Sequence, residues 1–84
     1  MKHATAATLT GLSDLLDRIR STTDIKEKKL GIFYRKSKAF LHFHEDAAGI
    51  FADLNVGNAF DRHPVNTDQE RAMLLAAIER ALKH

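Results

Sequence analysis

The sequence contains no cysteine and no tryptophan, and only one proline and four glycines among 84 residues. Without cysteine there are no disulfide bridges and no thiolate metal sites, and such a chain is typical of a reducing compartment, so we expect a cytoplasmic protein. So little proline and glycine leaves no flexible linker or low-complexity segment. Because a chain of this length suffices for one hydrophobic core, the sequence predicts a single small domain over residues 1–84.

A long apolar run is also missing. Residues 1–20 start with basic side chains but contain only scattered apolar ones, with Asp14 and Asp17 among them. That pattern matches neither a secretion signal nor a membrane span, so we expect no membrane partner. The formal net charge is only +2, although residues 26–38 carry six Lys or Arg against one Glu. Such a basic segment can contact phosphate, and a solvated charged hairpin explains it equally well.

Two segments have the apolar spacing of amphipathic helices. In the first, apolar side chains recur every three or four residues and predict a helix from about Thr10 to Ser21. They are Leu9, Leu12, Leu15, Leu16 and Ile19. The second helix begins with a capping box formed by Thr67 and Glu70 and continues towards the end of the chain. Its expected buried stripe is Leu74, Leu75, Ile78 and Leu82.

A hairpin is predicted where the run LGIFY is followed by a polar bend and then by AFLHF. Lys36 and Ser37 supply a two-residue turn, which pairs Phe33 with Phe40 and continues in that register along both strands. Since side chains alternate along a strand, this pairing decides which residues share a face of the sheet.

A second hairpin is predicted around the polar run HED. A four-residue loop over residues 45–48 pairs His42 with Phe51. Residues 59–61 add a short fourth strand before Pro64. The predicted fold is therefore α+β, an antiparallel three- or four-stranded meander with an N-terminal and a C-terminal helix packed on one face, in the order α-β-β-β-(β)-α.

The two registers agree with each other and sort the strand residues into two faces. One face is almost entirely aliphatic or aromatic, and we expect it to lie under the helices. It contains Leu30, Ile32, Tyr34, Ala39, Leu41, Phe43, Ile50, Ala52, Leu54 and Val56. The other, which we call the open face, mixes apolar and chemically active side chains. Its candidate ligand or interface residues are Phe33, Arg35, Phe40, His42, His44, Phe51 and Asp53.

Self-association is the function that the open face favours. Three phenylalanines on one exposed sheet face, Phe33, Phe40 and Phe51, are too apolar to leave in water on a monomer. Homodimers commonly bury such a patch by stacking sheet on sheet across a two-fold axis. The sequence thus predicts a homodimeric interaction domain, although the chain's own N-terminal segment or residues 57–66 would also cover the face.

Single-stranded nucleic acid is an alternative ligand for the same face. Phenylalanines beside Arg35 form the kind of stacking platform on which RNA-binding sheets hold bases. Against this ligand are the carboxylate of Asp53, the small net charge and the lack of an RNP-type motif. Nucleic-acid binding is therefore an alternative and not the favoured function.

A metal or small-molecule site is the other alternative. His42 and His44 point to the same side of one strand, and Asp53 lies diagonal to His42 on the next strand, at about 7–8 Å. These are weak candidates for zinc ligands, because a zinc site needs three or four converging donors and the sequence does not identify the remaining ones.

An enzyme is not favoured. The sequence has no serine or cysteine nucleophile constellation, no glycine-rich phosphate loop and no HExxH helix. We therefore assign no catalytic residue and no cofactor, and we expect a binding module.

Overall fold

A computed structural model of the chain describes residues 2–57 and 59–83. In chain order the elements are β1 (Lys2–His3), α1 (Ala6–Thr10), α2 (Ser13–Arg20), β2 (Lys26–Lys29), β3 (Ile32–Arg35), β4 (Lys38–Asp46), β5 (Gly49–Asn55), β6 (Phe60–Pro64) and α3 (Asp68–Leu82). The strands form one antiparallel sheet in the order β2-β3-β4-β5-β6, and β1 pairs with the end of β4 that β3 does not reach. The α+β class is confirmed, with a five-stranded meander in place of three or four strands.

The additional strand of the meander is β2, which the sequence did not predict because its four residues are all charged. Glu27 accepts hydrogen bonds from Arg20 at 2.6 and 3.0 Å and from the backbone N–H of Gly31 at 2.8 Å. These hydrogen bonds connect β2 to α2 and to the bend between β2 and β3. Exposed lysines on an edge strand also discourage pairing with a second chain.

The predicted N-terminal helix is divided into α1 and α2 by Gly11 and Leu12. Its first turn begins earlier than expected, where the hydroxyl of Thr5 accepts a hydrogen bond from the backbone N–H of Thr8 at 3.2 Å. The apolar stripe nevertheless stays on one side, and its members are all buried in the core. They are Leu9, Leu12, Leu15, Leu16 and Ile19.

The turn of the first hairpin lies at the predicted residues. Lys36 and Ser37 have φ angles of 51° and 72°, and Arg35 pairs with Lys38 on either side of them. Two successive left-handed residues make a type I′ turn, whose twist matches that of the two strands.

The predicted pair of Tyr34 with Ala39 is confirmed, but a β-bulge at Phe40 makes the first register wrong beyond that pair. Phe33 pairs with Leu41 instead of Phe40, and Ile32 pairs with His42. The extra residue turns Phe40 to the side of the helices, so Phe33 and Phe40 are 0% and 3% exposed and belong to the core. Ile32, which was predicted on the helix side, instead lies on the open face with His42.

The second hairpin is tighter than predicted. Ala47 and Ala48 form a two-residue turn, and Asp46 accepts a hydrogen bond from the backbone N–H of Ala48 through Oδ1 at 2.7 Å. Strand β4 therefore continues through Asp46, and His42 pairs with Asp53, two residues from its predicted partner. A shift of two residues leaves the faces of a strand unchanged. Four of the predicted core residues of β4 and β5 are confirmed as buried, Leu41, Phe43, Ala52 and Leu54, whereas Ala39 and Ile50 are partly buried.

Two residues that were predicted in the core are about half exposed. Leu30 lies in the bend between β2 and β3, and Val56 lies beyond the end of β5. The fourth predicted strand is present as β6, but it runs to Pro64 and pairs with β5 over its whole length.

Helix α3 starts with the predicted capping box. The hydroxyl of Thr67 accepts a hydrogen bond from the backbone N–H of Glu70 at 3.1 Å, and the Glu70 carboxylate accepts one from Thr67 N–H at 3.1 Å. Leu74, Ala77 and Ile78 are buried in the same core as α1 and α2. In the described part of the chain, no helix is both long and apolar enough to cross a membrane.

Candidate functional site

The polar run HFHED is divided between the two sides of the sheet. His42 and His44 lie on the open face, whereas Glu45 lies on the helix side and Asp46 is the last residue of β4, next to the turn. The Glu45 carboxylate accepts hydrogen bonds from Thr5 N–H at 2.6 Å and from the Thr8 hydroxyl at 2.9 Å. Glu45 therefore anchors the start of α1, and the two histidines remain for chemistry on the open face.

The histidine–aspartate cluster consists of His42, His44 and Asp53. Asp53 is directly opposite His42 and diagonal to His44, whose Nε2 lies 3.1 Å from Asp53 Oδ2. The two imidazole rings are 4.6 Å apart between centroids and stand at 84° to each other. One ligand atom from each of the three residues lies within 4.8 Å of the others. Donors about 2 Å from one ion are about 3–4 Å apart, so small side-chain rotations would bring all three to a common ion.

Asp53 is ionised and held by an arginine from the next strand. The Arg62 guanidinium contacts both carboxylate oxygens, with Nε 2.8 Å from Oδ1 and the second nitrogen 3.0 Å from Oδ2. This hydrogen-bonded pairing holds the pKa of Asp53 below its usual range. Asp53 is only 7% exposed, whereas half of the Arg62 side chain is in contact with solvent. The cluster thus contains a carboxylate whose cationic partner is free to rotate outward.

The two histidines each have a nitrogen without a hydrogen-bond partner. The Nδ1 atoms of His42 and His44 are buried and have no such partner among the residues that the structure describes. Burial, together with the nearby imidazole of His44, lowers the pKa of His42. His42 is therefore neutral at pH 7, which is the form of imidazole that binds a metal ion.

Aromatic side chains from the first and last strands enclose the cluster. The His3 ring stacks on His44 with centroids 5.2 Å apart, and the Phe60 ring lies 5.1 Å from His42. Sequence reasoning missed both residues, and also Arg62. The strand β1 has only two residues and therefore no pattern, but extending the predicted β6 by one residue would have placed Phe60 and Arg62 on one face.

Three of the four remaining candidate residues lie away from the cluster. Phe51 lies on the open face as the partner of His44, but Phe33 and Phe40 are in the core. Arg35 lies on the helix side, where its guanidinium donates hydrogen bonds to carbonyl oxygens at the end of α3, at 3.2 and 3.3 Å. The expected row of three phenylalanines beside an arginine therefore does not exist on the open face.

No protein-family model matches the chain, and neither the curated proteins nor the solved structures contain a match. A function must therefore be inferred from the side chains of the cluster. Two imidazoles and a carboxylate are the donors of many zinc sites and of other sites for borderline transition metals. Three protein donors also leave coordination positions for water or for a second ligand.

Proposed function

We propose that this protein is a binding module for a divalent transition-metal ion, which His42, His44 and Asp53 would hold. The observation that supports it is the approach of one donor atom from each residue to within 4.8 Å of the others. Imidazole and carboxylate ligands favour Zn²⁺ and its neighbours, Cu²⁺ and Ni²⁺, over Mg²⁺ or Ca²⁺, which prefer oxygen donors alone.

The surroundings of the cluster suggest a moderate affinity. Metal-bound histidines usually donate their other ring N–H to an acceptor, which improves affinity by about 10–100-fold. The Nδ1 atoms of His42 and His44 have no acceptor in the described residues. We therefore expect micromolar dissociation constants for Zn²⁺.

Arg62 would compete with the ion. Its guanidinium occupies both oxygens of Asp53, and its positive charge repels a cation placed between Asp53 and His44. Because half of the Arg62 side chain is exposed, its displacement into solvent needs no movement of the backbone. Metal binding and the Asp53–Arg62 pair would therefore be alternative states of one carboxylate.

A titration with Zn²⁺ tests this proposal. The chain is prepared without a polyhistidine tag, stripped with a chelator and titrated in a calorimeter, and Co²⁺ absorption reports the coordination. We expect one ion per chain, and loss of binding in His44→Ala and in Asp53→Asn. The matched control is His63→Ala, since His63 pairs with Ala52 and lies on the helix side of the same sheet. No heat at about 100 µM Zn²⁺, or equal loss in the control, would contradict the proposal.

Self-association through the open face is a second proposal. The sequence favours it because of three phenylalanines, of which only Phe51 lies on that face. Phe60 is 46% exposed beside His42 and restores part of the exposed apolar surface that Phe33 and Phe40 were expected to provide. Light scattering at low micromolar concentrations tests it. A dimer that Phe60→Ser dissociates would support it, and a monomer at all concentrations would contradict it. Nucleic-acid stacking has weaker support than the sequence indicated, because two of its three rings are buried.

A further inference from the structure

A cavity of about 690 Å³ lies on the helix side of the sheet, between the strands and the last turns of α3. This volume is within the range of small-molecule binding pockets, about 300–1,000 Å³. The cavity is separate from the histidine–aspartate cluster, because the sheet lies between them. Its floor is apolar and consists of Phe40, Leu54, Ala77 and Ala81.

Two local features create this space. The bulge turns Phe40 to the helix side, so that its ring forms part of the floor. Opposite it, Ala77 and Ala81 are four residues apart on α3 and therefore lie on one side of the helix. Larger side chains at these two positions would fill the cavity, whereas alanine leaves it open.

The rim of the cavity is strongly basic. Four cations, Arg35, Lys36, Lys38 and Arg80, line it together with one carboxylate, that of Asp61. Arg35 is occupied with the carbonyl oxygens of Ala81 and Leu82, and so offsets the negative end of the helix. Within residues 2–57 and 59–83, no ion pair involves Lys36, Lys38 or Arg80. Among the described residues that line the mouth, cations therefore outnumber carboxylates by four to one.

An unsatisfied imidazole also lines the cavity. His63 Nε2 is buried and has no hydrogen-bond partner among the described residues.

We propose that this cavity binds a small amphipathic anion. The apolar body of the ligand lies over Phe40 and Leu54, and its carboxylate, sulfonate or phosphate group lies between Lys38 and Arg80 at the mouth. This site is independent of metal binding at the open face.

A pair of dyes tests the apolar and the ionic parts of this proposal separately. The anionic dye 8-anilinonaphthalene-1-sulfonate and its neutral analogue N-phenyl-1-naphthylamine differ only in the sulfonate group, and both fluoresce in apolar surroundings. We expect one bound anionic dye per chain, and binding of the neutral analogue that is weaker by about tenfold. Equal affinity for the two dyes, or no binding of either, would overturn the proposal.

Charge variants locate the sulfonate. The double variant Lys38→Gln with Arg80→Gln should weaken binding of the anionic dye by about fivefold or more and leave the neutral analogue unaffected. The matched control, Arg18→Gln with Lys29→Gln, removes two cations that do not line the cavity. Equal losses in the two double variants would mean that only the net charge matters, and would overturn the proposed site.

A cavity-filling variant locates the apolar body. Ala81→Phe should abolish binding of both dyes, whereas Ala76→Phe, on the exposed side of the same helix, should leave it intact. Urea unfolding of both variants shows whether each is folded. Nuclear magnetic resonance of the wild type, in which the dye should shift the amides of Phe40, Leu54 and Ala77, keeps the test decisive if Ala81→Phe does not fold. Dye-induced shifts confined to other residues would overturn the proposal.

Discussion

The imidazole of His44 and the carboxylate of Asp53 are joined across two strands, with Nε2 3.1 Å from Oδ2. Asp53 is the one charged side chain that is buried in the described residues, and its oxygens also bind Arg62. A buried carboxylate needs such partners, since leaving it unpaired costs several kcal/mol (on the order of 3–5). The same contacts aim its oxygens at the histidines, so the arrangement that stabilises the charge also prepares a donor set.

Removal of Arg62 should strengthen metal binding. We expect Arg62→Gln to lower the Zn²⁺ dissociation constant by about threefold to tenfold, because the competing guanidinium and its positive charge are gone. Calorimetric titration at pH 7.5 measures this. Arg20→Gln is the matched control, since Arg20 pairs with Glu27 away from the cluster. Weaker binding in Arg62→Gln would show that the arginine positions the carboxylate for the ion and does not compete with it.

Zn²⁺ should stabilise the fold. A ligand that binds only the native state adds about 2.7 kcal/mol to the free energy of unfolding at 100 times its dissociation constant. We expect a higher melting temperature with Zn²⁺, measured by circular dichroism, and no increase in Asp53→Asn. Acidification to pH 5 should abolish the increase in the wild type, because imidazoles bind metal only when neutral. An increase that persists in Asp53→Asn would place the ion elsewhere.

The stability of the metal-free protein should decrease between pH 7 and pH 5.5, partly because of His42. The pKa of His42 in the folded state is below the ordinary value of 6.5, mainly because of burial. As the pH falls through 6.5, the unfolded chain takes up a proton that folded His42 does not, so the unfolded state is favoured. Asp53 has no part in this window, since its stabilising effect is lost only near and below pH 3.8.

Urea unfolding at a series of pH values tests this, with His42→Gln as the variant. The variant should lose less stability than the wild type between pH 7 and pH 5.5. Between pH 7.5 and pH 8.5 the two proteins should have parallel profiles, because His42 is then neutral in both states. A steeper decrease in the variant would contradict the assigned direction of the pKa.

Phenylalanine truncations distinguish the core from the open face. Phe33→Ala should cost about 3–5 kcal/mol of unfolding free energy, as complete truncation of a buried aromatic side chain does. Phe51→Ala should cost clearly less, since Phe51 is only partly buried on the open face. Urea unfolding measures both. A similarly small cost for both would mean that the register without a bulge, in which Phe33 and Phe51 share the open face, is the true one.

The first hairpin turn should be improved by glycine. Ser37 has a φ of 72°, where a side chain is strained and glycine is not. Since type I′ turns prefer glycine at their second position, Ser37→Gly should raise the free energy of unfolding by about 0.5–1 kcal/mol. Ser21→Gly, at a residue with negative φ, is the control and should not stabilise the protein. A loss of stability in Ser37→Gly would contradict the turn type.

Much of the histidine–aspartate cluster could be predicted because strand alternation does not depend on the details of the loops. His42 and His44 share a face whichever turn follows them, and an error of two residues in the second hairpin kept Asp53 on that face. The error did change the contact: the structure puts Asp53 opposite His42 and in reach of His44. The sequence instead predicts that Asp53 lies diagonal to His42, at a distance of about 7–8 Å.

Self-association and nucleic-acid binding through the open face lose support because of one residue. The bulge at Phe40 inserts a single position into the pairing of β3 with β4, which exchanges the faces of Phe33 and Ile32. Nothing in the local sequence marks this bulge, since no glycine is present at the position. It is explained by the core, which buries both phenylalanines under the helices. The apolar platform that supported self-association and nucleic-acid binding is thereby lost.

By itself, the sequence determined the α+β class, the capped C-terminal helix, the turn at Lys36 and Ser37, and the common face of His42, His44 and Asp53. These depend on local periodicity, capping and turn chemistry, which act within a few residues. Only the tertiary structure decided the bulge, the charged strand β2, the pairing of Asp53 with Arg62, and the cavity beneath α3. Each of these arises from contacts between distant segments, where burial of apolar surface and pairing of charges outweigh local preference.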